Sequence, residues 1–306
     1  MNRAFYIYGC THKGMVREIN EDHILLGRFI KNSGGMGMVF ALDDDFLQDQ
    51  GVLFAVADGI GGENSGEIAS KMALKAFEYQ FYSKEKKDLE ESVYIDMIAS
   101  AGKRANDTIL QISTGNPGIA GMGCTISGIC LMPSGYLIYN AGDSRVYRYR
   151  NGILKTVTSD DTVTSLAVQS GHMNFRQAEE SQHRHTLTNS LGTLSFNLNV
   201  KKGPELREGD MILICSDGLH GLVDHDQLES MLNPNESAET NVLKLLQEAL
   251  HKGGTDNISV IVLVMKTNET ENSKENNEET KEVAGTSKNS NQEDKTGDDK
   301  VEVQHE

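Results

Sequence analysis

The chain has 306 residues, 38% of them apolar, enough for a real hydrophobic core in one large domain or two small ones. A formal net charge of −16 and a pI near 5.0 leave no basic surface for nucleic acid or for an anionic membrane. No run approaches the roughly 20 apolar residues of a membrane-spanning helix, and the opening MNRAFYIYGC has no signal-peptide core, so a soluble, cytoplasmic protein is expected.

Strand-like apolar runs come first, at 5–10, 23–30, 36–42 and 52–57. The last of these ends on one carboxylate, Asp58, followed by Gly59, Gly61 and Gly62. A buried strand thus delivers an acid to its own tip, and the glycines let backbone groups crowd around whatever that acid holds. A helix is predicted after Asn64, with Glu67 as capping-box partner and an apolar stripe of Ile68, Met72 and Ala76 beside Ala69, Ala73 and Phe77. A second helical stripe runs Tyr94, Met97, Ala101, Ala105, Thr108, Ile112. Strand runs at 125–132, 136–141 and 145–150 follow, joined by turns short enough to require antiparallel pairing. The turn NAGDSR places Asp143 beside Ser144 and Arg145, either as a tight hairpin with an Asp–Arg pair or as part of a site. The run 211–215 ends on Asp217-Gly218, a third helical stripe carries Val242, Leu245, Leu246, Ala249 and Leu250, and Asp256 precedes the last run, 258–265.

This pattern predicts an α+β fold, an α/β sandwich of two packed antiparallel sheets flanked by helices on both outer faces. Beyond residue 265 the composition changes: residues 266–306 hold 12 acids, 6 bases and no aromatic residue, too little apolar surface to fold. One domain over 1–265 and a disordered acidic tail over 266–306 are expected. Cys10, Cys124, Cys130 and Cys215 lie in or beside apolar runs without CxxC spacing and read as reduced core thiols.

A single Asp-Gly pair is ordinarily a turn. Asp58, Asp217 and Asp256, all at the tips of the most apolar strands, point instead to one shared cluster, because unpaired carboxylates brought together there would repel. With no histidine or cysteine in the set, the cluster suits Mg²⁺ or Mn²⁺ and not zinc. In REINEDH, Arg17 offers bidentate phosphate recognition next to the acid pair Glu21 and Asp22. His172, His183 and His185 lack a fourth ligand at zinc spacing. GIAGMG (118–123) leads into a strand and not a helix, so it does not read as a dinucleotide loop.

Taken in order, VREINED (16–22), VADGIGG (56–62), GMGCT (121–125), AGDSR (141–145), LTNSLG (187–192), LICSDGL (213–219) and GGTDNISV (253–260) resemble the signature blocks of the metal-dependent serine/threonine protein phosphatases of type 2C. The likeness is greatest to the compact bacterial branch and spans about residues 6–264. It implies that Asp58 bridges two metal ions, that the Gly59 carbonyl, Asp217 and Asp256 complete the protein ligands, and that Arg17 clamps the substrate phosphate. Glu21 and Asp22 would act from behind the ligands, and Asp143 with Asp217 would hold a looser third ion. The implied reaction is hydrolysis of phosphoserine and phosphothreonine in proteins: two Mn²⁺ or Mg²⁺ ions lower the pKa of a bridging water from about 15.7 toward roughly 7 for direct attack on phosphorus. Phosphoproteins, including a Ser/Thr kinase or its substrates, are the implied partners, and a monomer is expected.

Two departures stand out. Ile60 occupies the place of a histidine that serves many animal relatives as general acid, and Asp160-Asp161-Thr162 stands where bacterial relatives carry Asp-His-Ser. Residues 160–181 resemble the flap that shapes substrate access. Two rival readings are a catalytically inactive relative that binds phosphoproteins, and a two-metal phosphoesterase for small phosphate esters.

Overall fold

The computed structural model describes residues 3–61, 65–83 and 90–267. The acidic tail from 268 onward and the helix-capping Asn64 lie outside the described residues. In chain order the elements are β1 (Arg3–His12), β2 (His23–Leu26), β3 (Phe29–Lys31), β4 (Gly34–Ala41), α1 (Asp45–Gln50), β5 (Val52–Ala57), β6 (Gly59–Ile60), α2 (Ser65–Tyr82) and α3 (Glu91–Gly115). They continue with β7 (Gly123–Cys124), β8 (Ile126–Met132), β9 (Gly135–Ala141), β10 (Arg145–Arg150), β11 (Ile153–Thr156), α4 (Val163–Gln169), α5 (Phe175–Glu179) and β12 (Asn199–Lys202). The last are β13 (Met211–Cys215), α6 (Asp217–His220), α7 (His225–Met231), α8 (Ala238–His251) and β14 (Ile258–Thr267). The final strand runs two residues past the boundary expected at 265, because β1 pairs with it over its whole length, from Arg3↔Thr267 to His12↔Ile258.

Two six-stranded antiparallel sheets form the body, one in the order β11-β10-β13-β14-β1-β4 and the other β12-β9-β8-β5-β2-β3. The period of two along the central strands divides their side chains between two covered faces. On β5, Val52, Phe54 and Val56 meet Ile212 and Ile214 of β13 and Ile261 and Leu263 of β14 between the sheets. Its alternate residues Leu53, Ala55 and Ala57 pack outward under α2 and α3. On β13, Met211, Leu213 and Cys215 pack outward against Val242, Leu245 and Ala249 of α8. Burial on both faces is why these strands read as unbroken apolar runs rather than as alternation. The result is the expected sandwich, helices outside and two sheets within.

Local details differ from expectation for identifiable reasons. The run 23–30 is a hairpin, not one strand: Gly27, at φ +60°, turns the chain so that Leu26 pairs with Phe29. On α2 the fully buried line is Ala69, Ala73 and Phe77, while Ile68 is exposed. On α3 it is Tyr94, Ile98, Ala101, Ala105 and Ile109, with Met97 and Ile112 only packing against its edge. All four cysteines are buried thiols, outside any disulfide. No helix among the described residues is long and apolar enough to cross a membrane.

Candidate metal and phosphate site

Asp58 follows β5 directly, and its backbone is clamped to the neighbouring strand. The Thr125 amide donates to the Asp58 carbonyl at 2.8 Å and the Asp58 amide donates to Thr125 Oγ1 at 3.2 Å. Gly59 and Ile60 then pair with Cys124 and Gly123. A Cβ on Gly59 would lie 2.2 Å from the Gly66 carbonyl oxygen, so the first turn of α2 rests on this loop, backbone against backbone. From the other sheet, β13 ends at Cys215 and Asp217 opens α6 after Ser216. A Cβ on Gly218 would stand 1.9 Å from the Asn257 carbonyl oxygen, so the loop carrying Asp256 is pressed onto α6. The two Asp-Gly pairs are therefore close-packing devices as well as turns.

Asn257 is a residue the sequence reading left unassigned. Its side-chain oxygen accepts from the Glu21 amide at 2.8 Å, and its side-chain nitrogen donates to the Lys13 and Ile19 carbonyls at 2.9 Å each. One buried amide thus fixes the loop of Arg17, Glu21 and Asp22 against Asp256. Its place directly after an aspartate at a strand tip was the available signal.

The structure brings the predicted acids together. The Asp58 and Asp217 carboxyls are near enough for each to affect the other's titration. Burial, then the carboxylates of Asp22, Asp217, Asp143 and Asp256, hold Asp58 well above the usual carboxylate range. Asp217, with a side chain 20% exposed, is pushed up to about 6 by burial and by Asp143 and Asp256. Asp22 is fully buried behind them and is pushed up to about 7, chiefly by burial. Its Oδ2 accepts from Ser216 Oγ at 2.8 Å, whereas Oδ1 has no hydrogen-bond partner. Glu21 is raised by its own burial and accepts from the Gly66 amide at 3.2 Å. Arg17, half exposed, donates from Nη2 to Asp256 Oδ2 at 2.9 Å.

Around Asp143 the structure does not show the Asp–Arg pair, one of the two alternatives for this turn. Arg145 does not pair with Asp143 in a tight hairpin; its guanidinium grips Asp160, with Nη2 2.7 Å from Oδ2 and Nε 3.0 Å from Oδ1. Asp161, in the place of the usual bacterial histidine, has its own contacts. Its Oδ2 accepts from the Gly142 amide at 3.1 Å and from Asn189 Nδ2 at 2.8 Å. The residue facing Asp143 is His185, whose Nδ1 lies 3.9 Å from Asp143 Oδ2 and 3.4 Å from Asp217 Oδ2. Asp143 and then Asp217 raise the His185 pKa against the opposing effect of burial. Nothing in local sequence pattern links His185 to either acid, because the juxtaposition is purely tertiary.

Known proteins share this arrangement of chain and fold. PstP, a serine/threonine protein phosphatase of Mycobacterium tuberculosis, is 30% identical over 226 residues, 74% of this chain, which spans 43% of the length of that protein. The serine/threonine phosphatase stp of Listeria monocytogenes is 26% identical over 83% of this chain and 93% of its own. The catalytic domain of PstP, solved with two manganese ions, superposes with a TM-score of 0.65 at 26% identity, covering 86% of this chain and 100% of that domain. The family described as Protein phosphatase 2C matches residues 41–252, and with the strand-tip aspartates of both sheets gathered at one site, the chain belongs to that family.

Proposed function

We propose that this protein hydrolyses phosphoserine and phosphothreonine in proteins with the help of Mn²⁺ or Mg²⁺. The observation that carries the reading is the gathering of Asp58, Asp217, Asp256 and Asp143 from four separate segments, with Asp58 driven upward in pKa by burial and by the charges of Asp22, Asp217, Asp143 and Asp256, and Asp217 by burial and by the charges of Asp143 and Asp256. Such a set repels itself unless cations sit within it, and an oxygen-only donor set around Asp58 fits hard divalent ions. Asp58, the Gly59 carbonyl, Asp217 and Asp256 would hold two ions, and Asp143 with Asp217 would take a third. Ions bound there neutralise phosphoryl charge and bring a water's pKa toward neutrality.

The chain's own residues have the remaining tasks. Arg17 offers its fork to the substrate phosphate, and its contact with Asp256 keeps its guanidinium beside that acid. Asp22 holds Ser216, the residue before Asp217, and Asn257 holds the loop that presents Arg17, Glu21 and Asp22. Phosphoproteins, a Ser/Thr kinase or its substrates among them, are the proposed partners, and the enzyme acts as a monomer in the cytoplasm.

The test is phosphate release from a phosphothreonine peptide and from p-nitrophenyl phosphate, with millimolar Mn²⁺ or with chelator, for the wild-type chain and Asp217→Ala. Metal-dependent release from the peptide that disappears in the variant supports the reading. Metal binding without turnover of any phosphopeptide would transfer the protein to the phosphoprotein-binding class, and turnover of the small ester alone would make it a small-ester phosphoesterase.

A further inference from the structure

We propose that the His185 imidazole is a ligand of the third cation, making with Asp143 and Asp217 a mixed nitrogen and oxygen site. This rests on the reading above that Asp143 and Asp217 take such an ion. The three residues come from the turn after β9, the start of α6 and the segment after α5, yet one donor atom from each lies within 4.8 Å of the others. Donors around one small divalent ion at about 2.1 Å stand about 3–4 Å apart, close to the 3.4 and 3.9 Å found from Nδ1 to the two carboxylates. Asp143 is only 6% exposed, and among the described residues neither it nor Asp217 has a lysine or arginine as ion-pair partner.

The segment bearing His185 is tied to the Asp143 turn through Asp161. The Asp161 amide donates to the Gly142 carbonyl at 2.9 Å, the Thr188 amide donates to the Asp161 carbonyl at 2.8 Å, and the Asp161 carboxylate joins Gly142 to Asn189. The aspartate that replaces the usual histidine is thus the strut that holds a different histidine over the site. His185 Nε2 accepts from Arg184 Nε at 2.8 Å. When Nδ1 ligates, the imidazole proton moves to Nε2, and Arg184, an exposed neighbour, turns away. A nitrogen donor favours a transition metal over Mg²⁺, so the third site should prefer Mn²⁺.

The experiment titrates the full chain, as wild type, His185→Gln and Asp143→Asn, with Mn²⁺ and separately with Mg²⁺ by calorimetry, and records pulsed paramagnetic resonance of the Mn²⁺-loaded forms. Wild type should take up two ions and a weaker third, with nitrogen coupling to Mn²⁺ from an imidazole. His185→Gln should remove that coupling and weaken only the third Mn²⁺ by on the order of ten-fold, with third-site Mg²⁺ affinity unchanged. Unchanged Mn²⁺ affinity in His185→Gln, or no nitrogen coupling in wild type, would overturn the proposal. Uptake of two ions and no third would also overturn it while leaving the two-metal reading intact, whereas uptake of none would remove both.

Discussion

If the acidic cluster is built for cations, it must be a source of instability in their absence, and replacing Asp217 by asparagine should reveal this. The Asp217 carboxyl is raised from 3.8 to about 6 in the fold. An acid whose folded pKa lies above its unfolded value loses stability as pH rises from the unfolded pKa through the folded one, since the unfolded chain ionises first. About two units at roughly 1.36 kcal/mol each amount to about 3 kcal/mol lost by the metal-free protein at pH 7.5. Asparagine keeps the shape and cannot ionise, so in chelator Asp217→Asn should be more stable than wild type by up to about 3 kcal/mol. Because the acid also opens helix α6, about 0.5 kcal/mol of helix-terminus stabilisation is lost in exchange. For a domain of this size the net gain corresponds to a Tm higher by roughly 5–10 °C. With millimolar Mn²⁺ the order should reverse, because wild type gains binding free energy that the variant forfeits. Thermal unfolding of both proteins in chelator and in Mn²⁺ checks this. A variant less stable than wild type in chelator would refute the reasoning, because Asp217 would then be holding the fold rather than straining it.

Other outcomes follow from the same geometry. His23, 2% exposed and 2.9 Å from Ser70 Oγ, has its pKa lowered to about 4 by burial and by Lys71 and Lys75. The unfolded chain therefore binds this proton first, and stability should fall by up to about 3 kcal/mol between pH 6.5 and 4; the stability difference between wild type and His23→Gln in urea unfolding should shift by that amount over the interval. Asp161→Ala removes the acceptor of the Gly142 amide and one of the two acceptors of Asn189 Nδ2 and should cost about 1–3 kcal/mol, while also weakening the third Mn²⁺; an unaltered Tm would show the strut to be dispensable. Gly59→Ala cannot be housed, with a Cβ 2.2 Å from Gly66 oxygen, and should cost about 3 kcal/mol or more together with metal binding, as denaturation and calorimetry would report.

Much of this was legible in sequence because burial leaves a local trace. Strands covered on both faces show unbroken apolar runs, as at Val52–Ala57 and Met211–Cys215, and both appear at those bounds. Helices packed on one side show a stripe, and acids placed at apolar strand tips stand out against their neighbours. The ordered blocks around Asp58, Asp217 and Asp256 carried the family. Elements whose existence depends on a distant partner left no such trace. The Gly59–Ile60 and Gly123–Cys124 pair and the edge strand Asn199–Lys202 are strands only because another segment meets their hydrogen-bonding groups. The pairing of Arg145 with Asp160, the anchoring of the Arg17 loop by Asn257 and the approach of His185 to Asp143 likewise join residues 15 to 244 apart, through contacts no periodicity encodes. Sequence by itself determined which segments are buried and which acids stand at their ends. Only the packing of two sheets, which brings the ends of strands from opposite layers to one place, decided which charges face each other.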